Sequence, residues 1–258
     1  MKRAGAVLLL ASLAALGLSG CNRLAGGEGN RPADARDFPR ADRPVAPIIS
    51  THWATEEQRD RLHEAQEVMN WARVQPGMTV ADIGAGEGYY TVRLARRVGP
   101  DGRVLAEDIV GEVIEALGRR VTRENWTNVS VKLGTPENPK LPEASFDRVF
   151  MVHMYHEIAE PYAFLWNLYP ALKPKGEVIV LESNRPTENH GTPPELLRCE
   201  FAAVGFVEVD SAPRPSSGGY LARFIQGASK PVDPGRIVAC RLKRNGGVEP
   251  VPQTKKDE

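Results

Sequence analysis

Hydrophobic and polar positions change period repeatedly along this chain, and each change marks an element. From Met78 to Ile83 the residues run apolar and β-branched, which predicts a strand, and over 88–98 the apolar positions recur at helical spacing. The exchange continues downstream with strand 103–108, helix 111–123, strands 129–133 and 146–152, helix 161–172, strand 177–183, helix 194–204, and strand candidates 206–211 and 236–242. Upstream, Thr55-Glu56-Glu57-Gln58 forms a capping box, and Leu62, Ala65, Met69 and Ala72 share one face of the helix it opens. Such alternation argues for a parallel sheet with helices on both faces.

Both ends of the chain depart from that pattern. The apolar run "AGAVLLLASLAALGLSG" follows Lys2 and Arg3, the charged and apolar regions of an export signal, and is short for a membrane span. Its end, Leu18-Ser19-Gly20-Cys21, resembles the lipobox of bacterial lipoproteins. That resemblance implies cleavage before Cys21, lipid on Cys21, and attachment to a membrane without spanning it. It places the chain in the bacterial envelope facing the periplasm, and Asn22 in the second mature position points to the outer membrane. Residues 22 to about 50 are rich in Gly, Pro and charge and read as a flexible tether, as does the tail after Lys243. The organisation is therefore signal peptide 1–20, tether 21–50, folded domain 51–244 and disordered tail 245–258.

Charge changes this picture little. The 33 bases balance 33 acids; loss of residues 1–20 removes Lys2 and Arg3, leaving 31 bases against 33 acids, a net charge of −2. The anchor then works by lipid rather than by a basic patch, and nothing marks a nucleic-acid partner or an obligate protein partner. Cys199 and Cys240 fall in a predicted helix and a predicted strand and read as two buried free thiols, although an oxidising compartment permits them to pair.

Candidate chemistry centres on "VADIGAGEGYYT", Val80 to Thr91, a glycine loop between strand and helix. Glycines let backbone approach a ligand, and a helix start offers unpaired N–H groups. A dinucleotide loop would need glycine at position 89, where Tyr89 stands, and a P-loop would need lysine after its last glycine. What remains is Asp82-x-Gly84-x-Gly86-x-Gly88, which resembles the first motif of the class I S-adenosylmethionine-dependent methyltransferases. The Leu-Lys-Pro-x-Gly stretch 172–176 is similar to that family as well, with Pro174 stopping a helix and Gly176 making the turn. The resemblance covers roughly 75–212 and implies an α/β, Rossmann-like class I methyltransferase fold: a mostly parallel seven-stranded sheet whose final strand is antiparallel, with helices on both faces. It also implies S-adenosyl-L-methionine as cofactor.

In such a sheet the site lies beyond the carboxyl ends of the strands. By resemblance, Asp82 acts on the cofactor's amino group directly or through water, and Gly84, Gly86 and Gly88 let backbone lie beside its methionine part. Asp108 takes the ribose-binding role, with Glu107 as runner-up, because a carboxylate can accept from both hydroxyls. Thr135 stands where many members have an adenine-binding aspartate, with Glu137 close by, and His153 follows at the cofactor end. His156, Glu157 and Tyr155 form the candidate catalytic group: His156 as base and Glu157 as its orienter or a substrate contact. Glu182, Arg185 and His190 add to the same rim, His190 reading as a surface histidine or substrate contact. The order H-x-x-H-E matches neither H-E-x-x-H nor H-x-x-E-H, so no metal is expected.

These residues describe a methyltransferase acting on a small-molecule or envelope acceptor. An exported chain has no obvious source of this cofactor, which keeps a second reading open: a lipid-anchored, non-catalytic module that uses the fold to bind another ligand. A nicotinamide oxidoreductase is disfavoured by Tyr89.

Overall fold

A computed structural model describes residues 31–48, 55–214, 219–243 and 246–251. The export signal, the lipobox and Cys21 lie outside these. In chain order the elements are α1 (Glu56–Arg61), α2 (Glu64–Trp71), β1 (Thr79–Ile83), α3 (Tyr89–Val98), β2 (Arg103–Asp108), α4 (Gly111–Arg123), β3 (Val129–Leu133) and β4 (Phe146–Val152). There follow α5 (Pro161–Leu168), β5 (Leu172–Ser183), α6 (Pro194–Val204), β6 (Phe206–Arg214), β7 (Gly219–Gln226), β8 (Cys240–Leu242) and β9 (Val248–Pro250). The main sheet has seven strands in the order β3-β2-β1-β4-β5-β7-β6. β1 to β5 run parallel, and β7 is antiparallel to both β5 and β6.

Side chains alternate across the sheet, so adjacent residues feed opposite layers. Ala81, Ile83, Val149 and Val180 join Leu165 of α5 and Phe201 of α6 on one face. Val80, Phe150 and Ile179 meet Val68 of α2 and Leu94 of α3 on the other. Both faces of the central strands are therefore apolar, as a covered parallel sheet requires.

Several expectations are corrected here. The helix expected after Thr55 is two helices, broken where His63 takes a left-handed conformation (φ 51°), although the capping box between Thr55 and Gln58 forms. The helix expected over 161–172 gives way at Tyr169–Ala171, and the turn at Pro174–Gly176 lies within β5 beside a register shift. The last sheet strand is Gly219–Gln226 rather than 236–242. Its "GYLARFIQ" pairs on both sides, so it carries no polar alternation to separate it from the Pro- and Ser-rich stretch before it. Cys240–Leu242 instead forms a small ribbon with Val248–Pro250, in what was read as tail.

The described part of the expected tether, 31–48, also packs against the domain. Ala35, Phe38 and Ala46 are buried, and Phe38 meets Trp166 edge to face at 5.7 Å. Arg43 supplies the polar anchor: its Nε donates to Glu200 at 3.0 Å, and the pair is almost wholly buried. Its Nη2 donates to the carbonyls of Tyr155 and Ile158. Composition alone suggested a tether because a few widely spaced apolar anchors leave no period.

Cys199 of α6 and Cys240 of β8 form a disulfide, Cα atoms 6.1 Å apart, and are not free thiols. They lie 41 residues apart in sequence, and only the packing of β8 on α6 brings them within bridging distance. Replacing both with serine is expected to lower the unfolding free energy by about 2–4 kcal/mol. Urea denaturation checks this: reductant should cause the same loss in the parent and none in the variant.

Candidate active site

The carboxyl ends of β1 to β5 open on one side of the sheet, and the strand order reverses between β1 and β4, the place where open α/β sheets bind ligands. A cavity of about 860 Å³ lies there. Gly84 to Glu87, Asp108, Thr135, His153, His156 and Arg185 contribute to its wall, with α1 across the mouth.

The glycine loop leaves β1 with Gly84, Gly86 and Gly88 at positive φ. Gly84 faces the cavity, where a Cβ would stand 3.1 Å from Met154. Gly88 does not line the cavity. It begins α3, and a Cβ there would lie 2.5 Å from Leu117, so its expected ligand contact is replaced by helix packing. Asp82 is likewise off the cavity wall. Its carboxylate accepts the Thr91 hydroxyl at 2.6 Å and ties the strand end to α3, in place of a direct cofactor contact. Burial raises the Asp82 pKa to about 6, offset in part by the Thr91 hydroxyl.

Asp108 and Glu107, adjacent at the end of β2, stand in different environments. Asp108 accepts the Gly86 N–H through Oδ2 and the Val110 N–H through Oδ1, both at 3.0 Å, and so braces the loop. Each of its oxygens retains a second lone pair. Glu107 is 1% exposed, and its Oε1 is buried with no hydrogen-bond partner. Burial, then the Asp108 charge, lifts the Glu107 pKa to about 8, while the Gly84 N–H opposes the shift. Thr135 lies on the cavity wall and donates to Glu137 at 2.8 Å.

Across the cavity, the segment after β4 separates the candidate group. Tyr155 points into the core, donates to Glu200 at 2.7 Å and is off the cavity wall, which removes it from the catalytic set. His153 turns towards Glu64, Nε2 to Oε2 3.9 Å, and burial lowers its pKa. His156 is oriented by Glu182 rather than Glu157: Nδ1 lies 2.8 Å from Glu182 Oε2. Glu182 accepts from the backbone N–H groups of His156 and Ser183 and from the Thr192 hydroxyl. Being acceptor throughout, it places the shared proton on Nδ1 and leaves Nε2 with its lone pair. Glu157 stands on that side, Oε1 3.9 Å from Nε2. His190 approaches from the loop after β5, its ring edge-on to that of His156 at 5.4 Å.

The chain pattern gave no sign of α1 as a cavity wall. Arg93 pairs with Asp60 and Glu56, and Arg120 with Glu56, fixing α1 over the glycine loop. Arg59 lies 3.8 Å above the Tyr89 ring and donates to Glu64. The adjacent Tyr89 and Tyr90 were the available signal, since both hydroxyls donate to carboxylates of α1 and α2.

Residues 80–176 match the family described as methyltransferase domain. Among proteins similar to this chain is a demethylmenaquinone methyltransferase of Geobacillus sp. (strain WCH70), 28% identical over 129 residues, covering 50% of this chain and 55% of that protein. A protein-L-isoaspartate O-methyltransferase of Methanothrix thermoacetophila is 30% identical over 107 residues, covering 42% and 48%. The chain thus spans about half the length of the curated relatives it matches. A crystal structure of a SAM-dependent methyltransferase from Aquifex aeolicus superposes with TM-score 0.59 at 24% identity, over 65% of this chain and 90% of that one. The seven-stranded sheet is the class I methyltransferase fold.

The residues present suit S-adenosyl-L-methionine on the structure's own terms. The glycine backbone lines one end of the cavity, and the Asp108 and Glu107 side chains stand in the same wall, where carboxyl groups suit a ribose. One consequence is open to test without any ligand. Because the folded state raises the Glu107 pKa from 4.5 to about 8, it holds a proton that the unfolded chain releases. Stability is accordingly expected to fall as pH rises through that window, with Asp82 adding a smaller loss towards pH 6. Urea midpoints measured against pH should show a shallower decline for Glu107→Gln; an unchanged profile would refute the assignment.

Proposed function

We propose that this chain is an S-adenosylmethionine-dependent methyltransferase acting on a small-molecule acceptor from a lipid-anchored position in the bacterial envelope. The observation that carries the reading is a single cavity joining the glycine loop and Glu107 at one end to His156 at the other. When bound, the cofactor supplies a methyl carbon already activated by positively charged sulfur. Gly84 and Gly86 give backbone access, and Asp108 keeps the loop in place with a lone pair left on each oxygen for a ribose hydroxyl. What the protein adds is alignment and a destination for the acceptor's proton. His156, fixed by Glu182 with its Nε2 lone pair available, provides that destination, and Glu157 and Arg185 flank the acceptor space. Ile158 and Phe164 give part of the wall an apolar surface that suits a ring-bearing acceptor, in keeping with the quinone-type substrate named for the Geobacillus relative.

The anchored position rests on the lipobox and is supported by the Cys199–Cys240 disulfide, a bond favoured in oxidising compartments. No helix among the described residues is long and apolar enough to cross a membrane.

Calorimetry of the full chain with S-adenosylmethionine and S-adenosylhomocysteine tests the cofactor reading. Gly86→Val and Asp108→Ala are expected to weaken binding at least about tenfold, which is about 1.4 kcal/mol. Absence of binding by folded parent protein would sink the enzyme and favour the non-catalytic module. Separately, Cys21→Ala is expected to move the protein from the membrane fraction to the soluble fraction. Unchanged fractionation would count against the lipid anchor.

A further inference from the structure

The wall opposite the glycine loop brings together three side chains that sequence order keeps apart. His156, Glu157 and His190 each offer one ligand atom, and these atoms all lie within 4.8 Å of one another. We propose that they form a divalent transition-metal site, suited to zinc(II), whose open position faces the cavity.

His156 is the fixed point. It is 1% exposed, and its Nε2 is buried with no hydrogen-bond partner, although it sits beside Glu157. Its other nitrogen is held by Glu182, the carboxylate–histidine pairing that orients imidazole metal ligands and raises their basicity. The same carboxylate accepts the Thr192 hydroxyl, so it also restrains the loop that presents His190. Two imidazoles and one carboxylate are a donor set of catalytic zinc sites, which keep a fourth position open.

The spacing is compatible with closure. Neighbouring ligands around a tetrahedral zinc stand about 3.4 Å apart when its bonds are about 2.0–2.1 Å. The His156 to Glu157 separation is 3.9 Å, so a shift of about half an ångström by Glu157 and a somewhat larger one by His190 would complete the site. Both are half-buried side chains, and His156 is held by Glu182. His153, the other histidine of H-x-x-H-E, takes no part, because it faces Glu64.

All three ligands line the cavity, which places the open position where an oxygen of the acceptor can coordinate. That assignment of the fourth position rests on the methyl-transfer reading; the metal site does not. A metal on Nε2 occupies the lone pair otherwise available to a proton, so with metal bound the coordinated acceptor oxygen would release its proton to solvent, and His156 serves as base only when the metal position is empty.

The test uses the full chain, stripped with chelator and titrated with cobalt(II), then competed with zinc(II). The expected result is about one equivalent of metal, with the absorption bands of four- or five-coordinate cobalt that zinc abolishes. His156→Ala, His190→Ala and Glu157→Gln should each weaken binding at least about tenfold, while the exposed His63→Ala should not. Acetohydroxamate, a small oxygen-donor chelator, should alter the cobalt spectrum if the open position faces the cavity. Substoichiometric metal on parent chain shown to be folded by circular dichroism would overturn the site, as would binding that survives all three substitutions. An unaltered spectrum with acetohydroxamate would overturn the open position alone. Because metal binding is read without S-adenosylmethionine, its failure is distinguishable from failure of the methyltransferase reading.

Discussion

A single buried carboxylate, Glu182 at the end of β5, organises the acceptor side of this protein. Four donors converge on it: the His156 ring and backbone, the Ser183 N–H and the Thr192 hydroxyl. A charge can be carried into a parallel sheet's interior only when its lone pairs are met, and here the groups that meet them come from the segment after β4 and from the loop after β5. The requirement to satisfy Glu182 therefore fixes the His156 ring and brings His190 towards it.

The cofactor side uses the same physics differently. Asp82, Glu107 and Asp108 stand close together at the ends of neighbouring strands, yet each has a different environment. Asp82 is met by a threonine hydroxyl, Asp108 by two backbone N–H groups, and Glu107 keeps one oxygen unmet. Two acids hold the loop in shape, and burial leaves the third with a raised pKa. Division of labour among adjacent carboxylates follows from how many donors each can reach.

The periphery is coupled to the site by equally specific contacts. Arg43 reaches Glu200 and the carbonyls on either side of the His156 segment, and Ala46 N–H donates to the His156 carbonyl. The disulfide joins Cys199, next to Glu200, to β8, and Asp42 pairs with Arg241 of that strand. The packed segment 31–48, α6 and the small ribbon thus brace the segment that carries His156 from behind.

Local pattern determined the succession of strands and helices from Met78 to Val204, because hydrophobic period and glycine placement are properties of neighbouring residues. It also located the loop, the acids after β2 and the histidines after β4, since the ends of parallel strands share one rim. Pattern failed where a residue's partner is distant in sequence. Tyr155 turned to Glu200, Glu182 displaced Glu157 as the support of His156, Asp82 met the Thr91 hydroxyl, Gly88 packed against Leu117, and the two cysteines met across 41 positions. Segment 31–48 and β7 escape the local pattern for a related reason: their burial comes from elements folded elsewhere, and nothing in their own alternation records it. Tertiary structure alone decided which donors each acid and each histidine meets. Hydrogen-bond satisfaction is settled by what surrounds a side chain in space.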